Sequence, residues 1–400
     1  MDIHTLHNDL ETLFPTMVDI RRDLHMHPEI SFQEVRTPKL IADYLTELGL
    51  EVRTAVGGRG VVGLLRGGKK GKTIALRADF DALPIQDEKA VSYKSLVPGA
   101  MHACGHDGHT AALLGVATVL AKHRDKLEGN VVFIHQFAEE LAPGGAKPMI
   151  EDGCLEGVDV IFGAHLQSGS PVGEVSYREG YTMAAADFFE ITVSGRGGHG
   201  ASPHLTIDPL VTASQLVVNL QQIVSRRVDP VKPAVLSVGA FHAGEAGNVI
   251  PDIAKLTGTI RTYDTETRDL IEQELKQVAL ATCQVTGATC EITYERGYDA
   301  VWNHPNETEY IREVASGIVG TENVIEREQG MGAEDFTYYL KEVPGTFFFI
   351  GAKLNDPEQV YPHHHPRFDF DESAMLIAAK VFVSAVIKFN EENDLNVRDN

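Results

Sequence analysis

Hydrophobic and polar positions follow two different patterns along this chain. Short apolar runs rich in β-branched residues, such as GVVGLLRG, TIALRADF, NVVFIHQF, VDVIFGAH and GTFFFIGA, predict strands. Segments with an apolar residue at every third or fourth position, such as HTAALLGVATVLAKH, predict helices between them. Strands that are apolar on both faces and alternate with helices are typical of an α/β fold, so we expect a largely parallel central sheet.

Two further helices are predicted at the start of the chain. The first covers LHNDLETLFPTMVDIRRDLHMHPE, and the second covers EVRTPKLIADYLTELGL and ends at Gly49, where glycine can cap a helix.

Between residues 186 and 296 the pattern changes. DFFEITVSG, AVLSVGAFHA, AKLTGTIRTY and TCEITYE predict strands, and a helix is expected from about Glu266 to Ala281. The segment DPLVTASQLVVNLQQIVSRR predicts another helix, whose apolar face would carry Leu210, Ala213, Val217, Leu220 and Val224. The order β-α-β-β-α-β is the ferredoxin-like arrangement, which can close as a domain by itself.

The strand GTFFFIGA follows this small α+β segment, so the segment is inserted into the larger fold. We therefore expect a catalytic domain made of residues 1–185 and 297–400, with an inserted domain at 186–296. A chain of 400 residues is long enough for two domains.

Charge and composition exclude several partners. The sequence has 57 acidic and 35 basic residues, for a net charge of −22, which repels nucleic acid phosphates. We expect no membrane partner, because no run approaches the roughly 20 apolar residues that a spanning helix needs. The N-terminus MDIHTLHNDLETLF does not resemble a signal peptide, and the four scattered cysteines are typical of a reducing compartment, so a cytoplasmic protein is expected.

Polar residues cluster at the predicted strand ends, which meet at one edge of a parallel sheet. These positions are Asp79 and Asp81, Glu139 and Glu140, His165, and His363 to His365, and Cys104 and His106 precede a helix predicted to begin near Asp107. Thiolate, imidazole and carboxylate ligands together suit zinc, with manganese, cobalt or nickel as alternatives. There are more ligands than one tetrahedral ion uses, so two ions with a bridging ligand are expected, and one of the adjacent glutamates could act as general base.

Each of these features also has a structural interpretation. A lone histidine is usually an ordinary polar residue, and His4, His7, His123, His135 and His304 are interpreted in that way. A buried cysteine is usually a small apolar residue, and a run of histidines can be a surface loop. The convergence of several clusters at strand ends favours the metal site.

The motifs LRADFDALPI, MHACGHDGHTAALLG, EE followed by GGAKPMIEDG, GRGGHGASPH, NVIPD, GTIRT, GAEDF and HHPRFDFDE occur in this order. This series resembles the M20 metallopeptidase family, in its branch of aminoacylases, hippurate hydrolases and indole-acetyl-amino-acid hydrolases. The resemblance implies a metal-binding domain, an inserted ferredoxin-like lid that often forms the dimer contact, and hydrolysis of N-acyl amino acids.

The resemblance also implies roles for single residues. Cys104 matches the ligand that bridges two metal ions, Glu139 matches the general base, and Asp81 matches the aspartate that supports the metals. The remaining ligand positions match His106, Glu140, His165 and His364. Asp107 and His109 would be partners of the ligands, and His102 is interpreted as part of the loop.

Further matches lie in or near the lid. His199 matches a histidine that reaches the substrate carbonyl, often across a dimer interface, and His204 is a weaker candidate. Asn248 and Arg261 match residues near the substrate. Arg261 could bind the substrate carboxylate or form a structural ion pair. Gly332, in GMGAEDF, could let the backbone approach the ligand or simply form a turn.

Our leading hypothesis is therefore an amidohydrolase that cleaves N-acyl-L-amino acids, such as N-acetyl or N-benzoyl amino acids, by attack of a metal-bound water. Alternative substrates would make it an N-acetyl-diaminopimelate deacetylase, a dipeptidase or a carboxypeptidase. A protein that binds metal or peptide without turnover is disfavoured, because every ligand position and Glu139 are occupied by suitable residues.

Overall fold

The computed structural model describes the backbone of residues 1–398 and the side chains of residues 1–390, and contacts within it define two compact units. Unit 1 contains residues 1–180, 302–328 and the chain from Asp335 onward, and unit 2 contains residues 181–301 and 329–334. The domain boundaries at 186 and 296 stay a prediction about independently folding domains.

The helices within residues 1–398 are α1 (Ile3–Met26), α2 (Arg36–Glu47), α3 (His106–Lys122), α4 (Ala146–Glu151), α5 (Pro209–Arg226), α6 (Thr265–Thr286), α7 (Pro305–Val319), α8 (Thr337–Glu342) and α9 (Ser373–Arg398). The strands are β1 (Glu51–Val56), β2 (Gly60–Arg66), β3 (Lys69–Asp79), β4 (Glu128–Gln136), β5 (Val160–Pro171), β6 (Val175–Tyr177), β7 (Gly180–Met183), β8 (Ala185–Ser194), β9 (Gly198–His199), β10 (Val235–Ala243), β11 (Val249–Ile250), β12 (Ile253–Thr262), β13 (Thr289–Arg296), β14 (Val301–Asn303), β15 (Val324–Glu326) and β16 (Gly345–Lys353).

Unit 1 is built on a sheet with the strand order β1-β2-β4-β3-β5-β16-β6-β15. The central strands β4, β3, β5 and β16 run parallel to one another, as the apolar runs predicted. The strand GVVGLLRG, which is β2, instead runs antiparallel to β4 and forms an antiparallel hairpin with β1 at the edge of the sheet. The fold is therefore α/β, with a mostly parallel central sheet.

Helices α1, α3 and α9 pack together in unit 1, and nearly all of α3 is buried. Part of α9, Ser373–Asn390, is long and apolar enough to cross a membrane by length and composition, which the sequence analysis overlooked. In this structure 67% of that stretch is buried inside the protein. The core helix of a soluble protein passes the same test, so this stretch is weak support for a membrane span.

Unit 2 contains an antiparallel sheet with the strand order β10-β12-β8-β13. The chain passes through it in the order β8-α5-β10-β12-α6-β13, and residues of both helices join one apolar core with the sheet. The buried face of α5 carries Thr212, Ala213, Leu216, Leu220 and Ile223. Of the predicted apolar face, Ala213 and Leu220 are buried and Val217 and Val224 pack against the same core, whereas Leu210 is 39% exposed.

Candidate metal centre

Four segments of unit 1 bring the predicted ligands together. Strand β3 ends at Asp79, β4 ends at Gln136 just before Glu139 and Glu140, and α3 begins at His106. Asp79 and Gln136 are direct neighbours in the parallel ladder, so the residues after them leave the sheet at one edge. His165 lies inside β5, which continues to Pro171, and not at the strand end as expected.

The Asp81 carboxylate organises the turn after β4. Its Oδ1 accepts the backbone N–H of Glu139 and its Oδ2 accepts that of Glu140, each at 3.0 Å. Ser31 Oγ also donates to Oδ2, at 2.6 Å. The backbone oxygen of Asp81 lies 3.0 Å from His106 Nδ1, which leaves His106 Nε2 as the ring nitrogen that could bind a metal ion. Asp81 therefore holds three candidate site residues in place at once.

Cys104 belongs to two groups of potential ligands. Its Sγ lies 3.4 Å from His165 Nε2. The ligand atoms of Cys104, His106 and His165 lie within 4.8 Å of one another, and so do those of Cys104, Glu140 and His364. A thiolate shared by two groups is the arrangement that a bridging ligand requires.

The spacing of buried, unpartnered atoms fits a cation. His106 Nε2 and Glu140 Oε1 are buried, have no hydrogen-bond partner among the described residues, and lie 3.8 Å apart. Of the two groups that share Cys104, one contains His106 and the other Glu140. Within the first group Cys104 Sγ and His165 Nε2 lie 3.4 Å apart, and two ligands that bind one zinc ion at ~2.0–2.3 Å in tetrahedral geometry are themselves separated by roughly 3.3–3.8 Å. The residues present therefore fit a divalent ion, although their geometry does not identify the metal.

The electrostatics of these ligands also favour a cation. Burial by itself lowers the pKa of His106, but the neighbouring carboxylates of Asp79 and Asp81 outweigh it and raise this pKa to about 10. Burial raises the pKa of the Cys104 thiol well above its ordinary value, and the nearby Glu140 and Glu139 raise it further. Cys104 would therefore become a thiolate only when positive charge is bound beside it.

His109 lies beside the site, but both of its ring nitrogens are engaged in hydrogen bonds, so neither is available to bind a metal ion. Its Nδ1 lies 2.6 Å from Asp79 Oδ1, and its Nε2 accepts the backbone N–H of Leu166 at 3.0 Å. Arg77 donates to the other oxygen of Asp79 at 2.6 Å. Asp79 was noted in the sequence but given no role there. The structure shows it as the acceptor that fixes the His109 ring.

A second histidine of the C-terminal run also reaches this cluster. His363 Nδ1 lies 3.7 Å from Cys104 Sγ, and its Nε2 accepts the N–H of Ser168 at 3.3 Å. The sequence interpretation had selected His364 from this run and given His363 no role. Adjacency to His364 was the only signal that could have identified it.

Two other expectations were wrong. Asp107 is not beside the ligands but accepts from Arg21 Nε at 2.9 Å and pairs with His25 Nδ1 at 2.7 Å. His102 lies in the loop before α3, as expected, but it is only 1% exposed there, and burial lowers its pKa to about 4. His135, interpreted as an ordinary polar residue, is fully buried in β4.

In unit 2, His199 and Asn248 lie close together in the chain fold. Val249, next to Asn248, pairs with His199 across the β9–β11 ladder, and Gly200 N donates to the Asn248 carbonyl at 2.8 Å. Both side chains are exposed. The other weaker candidate, His204, is exposed in the turn before α5.

Arg261 and Gly332 lie in another part of unit 2. Arg261 Nε donates to the Met331 carbonyl at 3.2 Å, and its Nη1 donates to the Ile260 carbonyl at 3.0 Å. Among the described residues its hydrogen-bond partners are carbonyl and hydroxyl oxygens, which does not support a structural ion pair. The Gly332 carbonyl accepts the Ala184 N–H at 2.9 Å.

Comparison with known proteins gives a consistent result. The pattern of peptidase family M20/M25/M40 matches residues 75–388. The chain is 55% identical to amidohydrolase YhaA of Bacillus subtilis, with 98% of this chain and 100% of that protein aligned. It is 41% identical to thermostable carboxypeptidase 1 of Saccharolobus solfataricus (98% and 99% aligned) and 40% identical to N-acetylcysteine deacetylase of B. subtilis (93% and 96% aligned).

A solved structure agrees with these relatives. The B. subtilis YXEP protein, a dinuclear metal-binding peptidase of the M20 family, superposes with a TM-score of 0.81 at 36% identity. The match covers 95% of this chain and 99% of that one. This confirms the resemblance that the ordered motifs indicated.

Proposed function

Because the chain belongs to peptidase family M20/M25/M40 and is a metal-dependent amide hydrolase, we propose that it cleaves N-acyl-L-amino acids to a carboxylic acid and a free amino acid. One observation carries the proposal: two groups of potential ligands share Cys104, and the carboxylate of Glu139 lies beside them. This set supplies both metal ligands and a base, as hydrolysis of an unactivated amide requires.

We propose that two divalent ions bind in unit 1. Cys104, His106 and His165 would hold one ion, and Cys104, Glu140 and His364 would hold the other, with zinc favoured by the thiolate and imidazole ligands. Manganese, cobalt or nickel would fit the same donors. Bound ions would polarise the amide carbonyl and acidify the attacking water.

Glu139 is the proposed general base. Its carboxylate is buried, with Oε2 3.9 Å from His106 Nε2, and its backbone N–H is held by Asp81. A carboxylate in this position can accept a proton from water and then deliver it to the amine nitrogen as the C–N bond breaks. The neighbouring Glu140 faces His364 at 3.3 Å and would bind metal instead.

The experiment is a substrate panel with Glu139→Gln as the matched variant. The wild type, loaded with zinc or manganese, should release free amino acid from N-acetyl or N-benzoyl amino acids. Glu139→Gln should keep its metal and lose at least ~100-fold in rate, since general-base catalysis contributes ~10²–10⁴. Glu151→Gln, at an exposed position on α4, is the control and should keep full rate. Fully loaded wild-type protein that hydrolyses no amide in the panel would contradict the proposal.

Peptidase activity is a second candidate, because one relative is named a carboxypeptidase. Another relative is named a deacetylase, so the assay must also separate deacetylation from peptide hydrolysis. Rates on N-acetyl amino acids, N-acetyl-diaminopimelate, unblocked dipeptides and N-blocked dipeptides would separate an aminoacylase, a diaminopimelate deacetylase, a dipeptidase and a carboxypeptidase. A kcat/KM higher for N-blocked dipeptides than for any N-acetyl amino acid would favour the carboxypeptidase.

For unit 2 we propose a role as lid, with substrate contacts from His199, Asn248, Arg261 and Gly332. His199 would donate to the oxyanion, and Arg261 would pair with the substrate carboxylate through two parallel hydrogen bonds. The exposure of His199 and Asn248 supports this assignment, as does the fact that the hydrogen bonds of Arg261 go to carbonyl and hydroxyl oxygens. Arg261→Lys should raise KM more than it lowers kcat, and an unchanged KM would remove Arg261 from the substrate site.

We also propose that unit 2 forms a homodimer contact through α5 and β10. Strand β10 lies at an edge of its sheet, and its sequence VLSVGAFHA carries no charge, whereas the opposite edge strand β13 carries Glu291, Glu295 and Arg296. The sequence of α5 between Pro209 and Ser225 is also free of charge, and Val211 and Val218 are 59% and 64% exposed on it. An uncharged edge strand beside an uncharged helix favours pairing with a second copy.

Light scattering tests the dimer. Val218→Glu should shift the mass from dimer towards monomer, because it buries a charge in the proposed contact. Val285→Glu is the control, since Val285 is 88% exposed on α6, outside this surface. A wild type that is monomeric at all concentrations would contradict the contact.

We further propose a cytoplasmic location, which the free thiols of Cys104, Cys154, Cys283 and Cys290 support.

A further inference from the structure

Two buried carboxylates hold three consecutive backbone N–H groups at the end of β4. Asp81 accepts those of Glu139 and Glu140, each at 3.0 Å, as described above. The preceding N–H, that of Ala138, donates to Glu34 Oε1 at 3.0 Å. Glu34 lies 104 residues earlier in the chain, between α1 and α2, so this contact is made by the tertiary fold alone.

The turn held in this way has a backbone conformation that needs support. Ala138 has a φ of +50°, in the left-handed region that residues with a Cβ rarely adopt, and it is fully buried. Such a conformation persists only where the surrounding contacts enforce it. The direction in which the next two side chains leave the backbone depends directly on this residue.

Glu34 occupies an unfavourable environment. It is 1% exposed, its Oε2 has no hydrogen-bond partner among the described residues, and Arg59 Nε lies 3.8 Å from that oxygen. Burial raises the pKa of Glu34 to about 7. Burial of this carboxylate costs free energy that the Arg59 ion pair and the Ala138 N–H only partly offset, so stability alone does not account for the residue.

Glu29, five residues earlier, shows the contrast. Its carboxylate accepts the N–H groups of Arg36 and Thr37 at 2.8 Å each and so caps the start of α2. The Glu29 carboxylate therefore acts as a helix cap, whereas the Glu34 carboxylate does not cap a helix terminus.

We propose that Glu34 is a positioning residue of the active site, which fixes the turn that presents Glu139 and Glu140 by accepting the Ala138 N–H. The inference rests on the roles proposed above for Glu139 as base and Glu140 as metal ligand. Ser31, from the same segment, donates to Asp81, so residues 31–34 supply one of the two carboxylates that hold the turn and a hydrogen-bond donor to the other. Without Glu34 the turn could leave its left-handed conformation and move both glutamates.

The test compares three variants of the full-length protein. Glu34→Leu removes the acceptor, Glu34→Gln keeps an acceptor oxygen, and Glu29→Leu removes the helix cap while leaving the turn untouched. We would measure kcat/KM at saturating zinc, bound metal, melting temperature, and amide hydrogen exchange of a peptide containing residues 138–140 in metal-free protein. If Glu34→Leu does not fold, Glu34→Met replaces it with an unbranched side chain.

Glu34→Leu should lower kcat/KM by ~10- to 100-fold, as loss of a partner that orients a ligand typically does, and should speed exchange in residues 138–140. Glu34→Gln should stay within a few-fold of wild type in both measurements. Glu29→Leu should lower the melting temperature without changing kcat/KM or that exchange.

Unchanged kcat/KM and exchange in Glu34→Leu would overturn the inference. Equal losses in Glu34→Leu and Glu34→Gln would also overturn it, because glutamine keeps the acceptor. Should wild-type protein hydrolyse no amide, the proposed function fails, but the exchange measurement still decides whether Glu34 holds the turn.

Discussion

Replacing His135 by leucine should make unit 1 more resistant to acid. His135 is the last residue but one of β4, where Val61 and Ala78 are its ladder neighbours on the two sides, and its side chain is completely buried. Neither ring nitrogen has a hydrogen-bond partner among the described residues. Burial alone lowers the pKa of His135 from its ordinary 6.5 to about 3.

The sign of the effect follows from proton linkage. The unfolded chain binds a proton at His135 below pH 6.5, whereas the folded chain does so only near pH 3. Between these values unfolding takes up a proton, so the stability of the wild type falls as the pH falls. Each pKa unit corresponds to ~1.4 kcal/mol, so this residue should cost the wild type ~2 kcal/mol on going from pH 7 to pH 5.

Leucine cannot take up that proton. The free energy of unfolding of His135→Leu should therefore exceed that of wild type by an amount that grows by ~2 kcal/mol between pH 7 and pH 5. At pH 7 and above the variant should already be at least as stable, because two unpaired buried nitrogens have been removed.

Urea unfolding at several pH values measures this difference. A two-unit chain need not unfold in one step, so the transition is followed through Trp302, the single tryptophan of the sequence, which lies in unit 1 with His135. A chelator removes metal, so that metal release in acid does not contribute. His4→Leu, at an exposed position of unit 1, is the control and should give a curve parallel to wild type.

Parallel curves for wild type and His135→Leu would refute the reasoning, since they would mean that His135 binds its proton equally well in the folded and unfolded chain. Titration of the other buried groups does not affect the comparison, because it is common to both proteins. Only the difference between the two curves is interpreted.

Three further outcomes are expected. Cys104→Ser should lower the metal bound per subunit, because a serine hydroxyl is a poor bridging ligand, and unchanged stoichiometry by native mass spectrometry would contradict the bridge. His199→Ala should lose ~100- to 1,000-fold in rate with metal content unchanged. If activity reappears when this variant is mixed with Glu139→Gln, His199 acts across a dimer. If no activity returns despite proven subunit exchange, His199 acts within its own chain. Leu220→Ala, in the core of unit 2, should destabilise that unit by ~2–5 kcal/mol in a calorimetric scan, whereas Val285→Ala, at an exposed position, should change little.

Much of the fold was predictable because it depends on local patterns. Apolar runs of strand length separated by helical segments predicted the parallel strands β3, β4, β5 and β16, and these strands form the centre of the sheet. The motif series also identified the family and the enzyme class, since both depend on the kind and order of residues. The roles of the single site residues stay predictions, although the structure brings the six proposed metal and base residues of unit 1 together.

Burial and partner choice were not predictable in the same way. His109, Asp107 and His102 stand within eight residues of one another, yet one bonds Asp79, one bonds Arg21 and His25, and one is buried without a hydrogen-bond partner among the described residues. Helix geometry points neighbouring side chains in different directions, so what each one meets depends on distant segments. No pattern in the sequence separated these three cases.

The sequence by itself determined which chemical groups are available and at which strand ends they stand. Only the tertiary structure decided which of them meet: Cys104 and His165 are 61 residues apart in the chain and 3.4 Å apart in the fold, and Glu34 reaches Ala138 across 104 residues. Those contacts also decide the protonation of the groups, because a pKa depends on burial and on neighbouring charges. The residue types are local information, whereas distance and desolvation exist only in the folded chain.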